Sequence, residues 1–195
     1  EEGLWVRWWD NGQVHTKGNY KNGKEEGHWD RYNKDGTVDQ EWTGNYENGG
    51  REGPWVTYYD NGQLETKGNF KDGLEEGPWV QYYDNGQLYW KGEYKNGKKE
   101  GAWVTYWSNG QLSYKGNYKN GKADGAWVEY HNNGQLNYKG NYKNGKNEGA
   151  WVRYHSNGQL KSKGDYKNGK REGDWVSYVP DGTVHKRWTG TYKDG

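Results

Sequence analysis

The stretch Glu52-Gly53-Pro54-Trp55-Val56-Thr57-Tyr58-Tyr59-Asp60-Asn61-Gly62-Gln63-Leu64-Glu65-Thr66-Lys67-Gly68-Asn69-Phe70-Lys71-Asp72-Gly73 places Asn61-Gly62 and Asp72-Gly73 after runs rich in aromatic and β-branched residues. Asn-Gly and Asp-Gly supply the positive φ of tight hairpin turns. The runs between them, about six to eight residues each, predict strands. The unit therefore reads as two strands and two turns. A helix is excluded, because a Gly every six or so positions costs roughly 1 kcal/mol per site and no 3.6-residue period is present.

Working outward, the unit recurs. Trp5, Trp29, Trp55, Trp79, Trp103, Trp127, Trp151 and Trp175 are 24 residues apart, save for a step of 26 between Trp29 and Trp55. Every glycine except Gly50 falls in one of four columns with the same period, and both turn sites carry Asn-Gly or Asp-Gly in every unit. The chain is expected to be a single array of eight repeats, approximately 1–24, 25–50, 51–74, 75–98, 99–122, 123–146, 147–170 and 171–195. Repeats two and eight each carry two extra residues at the same place, before Gly44 and before Gly190.

Composition says how such a chain could hold a core. Of 195 residues only 29% are hydrophobic and mean hydropathy is -1.58, yet 14 are Trp and 19 are Tyr. Each such ring can bury roughly 150–250 Å², so the apolar surface has moved from aliphatic to aromatic side chains. Four columns are apolar in every repeat and define the expected core ladder: Trp55, Tyr58, Leu64 and Phe70, then Trp79, Tyr82, Leu88 and Tyr94, then Trp103, Tyr106, Leu112 and Tyr118. One repeat cannot bury this set, whereas stacked repeats can. The expected fold is all-β: an elongated, open, solenoid-like twisted sheet of eight stacked antiparallel hairpins. Gly68 shares a strand face with Leu64 and Phe70, which leaves room for neighbouring rings to lie flat. Trp55 and Tyr58 have opposite parity in a regular strand, so either a bulge intervenes or the Trp closes an end of the core.

The segment Gln111 to Gly125, with Lys115-Gly116-Asn117-Tyr118-Lys119-Asn120-Gly121, resembles the MORN repeat, most closely its bacterial variant, in which Trp-Val-x-Tyr and Asn-Gly follow the acidic residue and Gly. The resemblance extends over eight copies. It implies a stacked β-hairpin scaffold or interaction module with no catalysis and no cofactor. By analogy with other members it also implies two weaker alternatives, an antitoxin-like role and membrane-lipid association. Bulky Trp where the eukaryotic pattern often has Gly argues against the lipid role.

The chemistry-bearing residues give no catalytic constellation. His15, His28, His131, His155 and His185 are the only histidines, and of these only His131 and His155 share a repeat position, roughly 10 Å apart and too far for one ion. No Ser has a base at defined spacing, and there is no Cys. The acidic column Glu2, Glu26, Glu52, Glu76, Glu100, Asp124, Glu148 and Glu172 could suit Ca²⁺, but neighbouring lysines favour a solvated ladder of alternating charge. With 28 basic against 27 acidic residues, net +1, the charge argues against nucleic acid, and no apolar run is long enough for a membrane helix.

Two aromatic rows stand at positions the repeat does not demand: Tyr59, Tyr83, Trp107, His131 and His155 in one, Trp90, Tyr114 and Tyr138 in the other. They read either as cross-strand packing or as a candidate ligand or partner face. The expected function is a structural or protein-interaction scaffold; the rival is a glycan-binding module on these rings. Both ends of the sequence lie inside the motif, which suggests either end-to-end stacking of copies through terminal strand edges or an excerpt of a longer array. A secreted or surface location is slightly favoured over a cytoplasmic one.

Overall fold

The two turn sites of each repeat fold differently although both carry the same dipeptides. In the computed structural model, which describes residues 1–193, Asn120 and Gly121 both take positive φ, 50° and 77°, as do their counterparts from Asn22-Gly23 to Asn168-Gly169. That is the two-residue hairpin turn whose twist matches the strands. At the first site only the Gly is left-handed: Gly110 has φ 82°, its amide donates to Trp107 O at 2.8 Å, and Trp107 N donates to Gln111 O at 2.8 Å. This is a three-residue loop ending in a glycine bulge.

These turns set up antiparallel strands in two units. The first is Glu1–Gly86 with Tyr94–Lys98, and the second is Gln87–Glu93 with the chain from Lys99 onward. The first contains β1 (Gly3–Trp8), β2 (Val14–Lys21), β3 (Lys24–Arg31), β4 (Gly44–Glu47) and β5 (Gly50–Arg51), hydrogen-bonded in chain order as a five-stranded sheet. It continues with β6 (Gly53–Tyr58), β7 (Leu64–Lys71), β8 (Leu74–Glu75) and β9 (Gly77–Tyr82), where β7 lies between β6 and β9 and also pairs β8. The strand β10 (Leu88–Lys95) gives its first six residues to the second unit. There follow β11 (Lys98–Tyr106), β12 (Leu112–Lys119), β13 (Lys122–Tyr130), β14 (Leu136–Lys143), β15 (Lys146–Tyr154), β16 (Leu160–Lys167), β17 (Lys170–Ser177) and β18 (Gly190–Tyr192). Each pairs with its chain neighbour in an open sheet.

The core is made by one contact repeated along the chain. On each second strand the Gly lies against the Trp of the following repeat, and Gly116 faces Trp127 directly across the ladder. A Cβ on Gly18, Gly44, Gly68, Gly92, Gly116, Gly140 or Gly164 would overlap the indole of Trp29, Trp55, Trp79, Trp103, Trp127, Trp151 or Trp175 respectively. The ring lies flat on bare backbone. Trp103 is 1% exposed in this setting, whereas Trp5, whose ladder partner Gly18 carries the Trp29 indole instead, is 40% exposed. The Tyr column closes the sides: Tyr118 meets Trp103 and Trp127 edge-on with centroids 5.8 and 5.3 Å apart, and Tyr142 meets Trp127 and Trp151 at 5.5 and 5.1 Å. Edge-to-face geometry sets ring hydrogens against π clouds and adds about 0.5–1.5 kcal/mol per pair beyond area burial.

A bulge does occur next to the aromatic three residues after Trp, but its extra residue is on the facing strand, so Trp and that aromatic keep opposite parity in their own strand. Thr105 pairs with Tyr114 but Tyr106 pairs with Leu112, leaving Ser113 as an extra residue; the same shift recurs at Thr57/Tyr58, Glu129/Tyr130 and Arg153/Tyr154. Tyr58, which the pattern places with the core columns, is 49% exposed. It stands beside the departure in repeat two.

There, the two extra residues divert the chain between Val38 and Gly44, so β4, paired with β3 on one side, meets only the short β5 on the other. In a regular repeat the strand goes on to pair the next Trp-bearing segment, as β12 does with β13. Here the amide of Tyr58 instead donates to Gln40 Oε1 at 2.6 Å. Repeats two and eight also replace the first-turn Asn by Asp35 and Asp181. The Thr37 hydroxyl first, and then its amide, hold the Asp35 carboxyl below its ordinary value of 3.8; at Asp181 the Thr183 amide leads and the hydroxyl follows.

A folded-state pKa below the unfolded one stabilises above the ordinary carboxylate value, and that stabilisation is lost as pH falls through the lower, folded value. Thr37→Val should therefore move the Asp35 titration, followed by NMR, up toward 3.8; an unmoved titration contradicts the hydroxyl's role. The packing makes a larger prediction. Gly116→Ala must expel the Trp127 ring and should cost about 3 kcal/mol or more in denaturant unfolding. Gly101→Ala, where φ is +65° and nothing lies within 4 Å, should cost only about 1–2 kcal/mol.

Candidate functional site

The face of the sheet turned away from the indoles carries the residues on either side of them. Val104 pairs with Lys115, Lys115 with Val128, Val128 with Lys139, Lys139 with Val152, Val152 with Lys163 and Lys163 with Val176. An unbroken row of alternating Val and Lys thus crosses seven strands of the second unit. Beside it run the pairs Ala102–Asn117, Ala126–Asn141 and Ala150–Asp165. The rows line an open groove of about 1100 Å³ that reaches Asp174 and Val176 at its far end. This exceeds the roughly 300–1,000 Å³ of a small-molecule pocket, and its floor repeats at every hairpin. The lysines are exposed and the valines half-buried.

This face follows from strand alternation. Trp103 points to the core, so Ala102 and Val104 point the other way; Gly116 lies under an indole, so Lys115 and Asn117 do too. The Val column is not among the four apolar columns, because repeat two carries Asp30 there. Its signal was nonetheless present: Val follows Trp in every other repeat, in opposite parity to it.

The rings singled out as a candidate ligand face have structural partners. Trp9 Nε1 donates to Tyr32 O at 3.0 Å, Tyr59 Oη to Tyr82 O at 2.7 Å and Trp107 Nε1 to Tyr130 O at 3.2 Å; His131 and His155 place Nε2 3.2 and 3.0 Å from Tyr154 O and Tyr178 O. The column varies in sequence but keeps a ring donor aimed at the same carbonyl one repeat on, which assigns the proton to Nε2 of both histidines. Tyr83 in that column is half-buried. In the second row Trp90 stacks on Trp103 at 4.9 Å, Tyr114 on Trp127 at 5.1 Å, and Tyr138 tilts over Trp151 at 5.4 Å. Burial and the nearby Glu129 carboxylate push the Tyr138 phenol far above its ordinary value.

The acidic column has a specific task that a picture of solvated charges does not supply. Carboxylates from Glu2 to Glu148 accept the amide N–H of the hairpin-turn residue 20 or 22 positions on, at 2.8–3.1 Å, as Glu100 does from Asn120. Lys21 approaches Glu26 only to 3.9 Å. A second ladder joins the first turns: Asn61 Nδ2 donates to Asp84 O at 2.8 Å and Asn109 Nδ2 to Asn132 O at 2.8 Å. Among the described residues no cluster of three or more His, Asp or Glu side chains is placed to hold a metal ion, and no helix is long and apolar enough to cross a membrane.

A family model described as the MORN repeat variant matches residues 1–22, 51–72, 75–96, 99–120, 123–144 and 147–168, together more than half of the chain. The two repeats outside these matches are the two with insertions. No curated protein matches the chain.

The ring-donor column yields a single-atom test. Tyr59→Phe leaves the Tyr82 carbonyl without its donor and should cost about 1 kcal/mol in denaturant unfolding. Trp107→Phe should cost as much, and Trp107→His should recover most of it. Equal losses for Phe and His at position 107 would show that the ring's bulk, not its N–H, matters there.

Proposed function

The chain belongs to the MORN repeat variant family, and on that premise we propose that it is a non-enzymatic interaction scaffold whose second unit docks a partner protein along its Val and Lys face. The observation that carries the reading is the row from Val104 to Val176 on the floor of the groove. Successive lysines lie two strands apart, about 10 Å. The chemistry suits a protein segment that places a carboxylate about every 10 Å along its length, with apolar side chains between.

The magnitudes divide the work. Completing the burial of a half-exposed Val contributes about 1 kcal/mol, and four of them line the groove. A rim ion pair contributes about 0–1 kcal/mol. Apolar contact supplies most of the affinity, while the lysines set register and reject basic segments. A glycan would need free ring faces; Trp90, Tyr114 and Tyr138 spend one face each on the buried indoles.

Selection of displayed peptides on the intact chain tests the proposal. Peptides with spaced Asp or Glu among apolar residues should emerge, and Lys139→Glu should weaken them roughly tenfold, about 1.4 kcal/mol, while Trp107→His leaves them bound. Saturable binding on a glycan array that is lost in Trp90→Ala, with the groove variants inert, would replace this function by sugar recognition.

A further inference from the structure

Twelve of the turns are Asn-Gly, and the fold treats them as two chemical populations. In free peptides this dipeptide is the one most prone to lose ammonia, because no side chain on Gly hinders its nitrogen. The Gly amide nitrogen attacks Asn Cγ, the Cγ–Nδ2 bond breaks and ammonia leaves, giving a five-membered succinimide. Water then opens the ring at either carbonyl to yield Asp or isoaspartate. No oxidant or enzyme is required. The step needs two freedoms: the side-chain amide must swing over the backbone, and the Gly N–H must give up its proton.

The second requirement is hindered alike in both populations. Glycine amides of the hairpin turns donate to backbone carbonyls, as Gly121 N does to Lys99 O at 2.9 Å, and so do those of the first turns, as Gly110 N does to Trp107 O at 2.8 Å. The first requirement separates them. At the first turns Asn11, Asn61, Asn109, Asn133 and Asn157 are held at both ends of the side-chain amide. Their Oδ1 accepts from the Gln amide two residues on at 3.0–3.1 Å. Their Nδ2 donates to a carbonyl one repeat on at 2.7–2.9 Å. At the hairpin turns only the backbone amide is held, by the acidic column. The side chains of Asn22, Asn48, Asn96, Asn120, Asn144 and Asn168 make no hydrogen bond and are exposed to solvent.

We propose that these six hairpin-turn asparagines are sites of spontaneous conversion to aspartate and isoaspartate in the folded protein, and that the first-turn asparagines are protected by their ladder. The fold already accommodates one product. Asp72 fills the same position in repeat three with φ 51°, and its amide is held by Glu52 at 2.9 Å. Conversion also places a negative charge between lysines that face each other across the turn, Lys119 and Lys122 or Lys143 and Lys146. Like charges so placed repel, and the new carboxylate stands near these lysines as well as the acidic-column carboxylate that holds its own amide, Glu100 at position 120 and Asp124 at position 144. Each event removes one unit from a net charge of +1, and the second turns the chain net negative.

The test is incubation of the intact native protein at mildly alkaline pH, with sampling over days, peptide mapping by mass spectrometry and isoaspartate detection. Opening two further hydrogen bonds of ordinary strength should slow the first-turn sites roughly 30-fold relative to the hairpin turns. In a urea-unfolded sample the two populations should convert at similar rates, and Asn120→Gln should abolish the signal from its own peptide alone. Equal native rates, faster conversion at the first turns, or no conversion at the hairpin turns while the unfolded chain converts at both would each overturn the proposal.

Discussion

Everything in this protein depends on an indole laid flat on a glycine. A Trp ring carries more apolar area than any other side chain, but in a single-layered sheet it has nowhere to go unless a neighbouring strand withdraws its own side chain. Gly116 under Trp127, and its equivalents along the chain, make that space. The exchange has a cost, since Gly in a strand weakens it, and the cost is recovered by ring burial. The edge-on Tyr residues then fill the gaps between indoles, so that the buried hydrophobic residues are all rings, accompanied by small hydroxyl residues such as Thr105 and Ser113.

Concentrating the apolar groups on one face frees the other. Because strands alternate, the residues flanking each Trp and each Gly are forced outward as a set, and they are Ala, Val, Lys and Asn. The groove is thus a geometric consequence of the core, repeated as often as the core contact is. Polar ladders lock the turns along the same direction: carboxylates hold the hairpin-turn amides, asparagines join successive first turns, and ring donors reach the next repeat's carbonyl. Each bond is modest, about 1 kcal/mol, but each satisfies a backbone group that a turn would leave unpaired.

Repeats two and eight show what happens when several of these devices are dropped together. Each has the insertion, an Asp in place of the ladder Asn, and a large exposed ring, Trp42 or Trp188. Arg51 lies 4.4 Å from Trp42 and 4.5 Å from Trp55, while Arg171 lies 4.5 Å from Trp175. Lys99 sits over Trp103 at 4.1 Å in the same way in a regular repeat, so what the insertions add is a second cation–π contact, to Trp42 or Trp188.

The period, the hairpins and the all-β class were all legible in the sequence, because turn dipeptides and strand patterning are local and recur at every repeat. Room for a ring over Gly68 could be read from parity alone. The sequence left open whether a bulge intervenes beside Trp and the following Tyr, since one extra residue on the facing strand, such as Ser113, changes no composition and no period. In the sequence Tyr59, Trp107 and His131 read either as cross-strand packing or as a candidate ligand or partner face, when their shared property is a ring donor at one point in space. The acidic column looked like solvated charge because its acceptor role lies 20 residues away along the chain. The groove became visible only in the tertiary structure, because its floor is defined by what the Trp residues exclude: which side of the sheet the indoles take determines which side the valines and lysines must occupy.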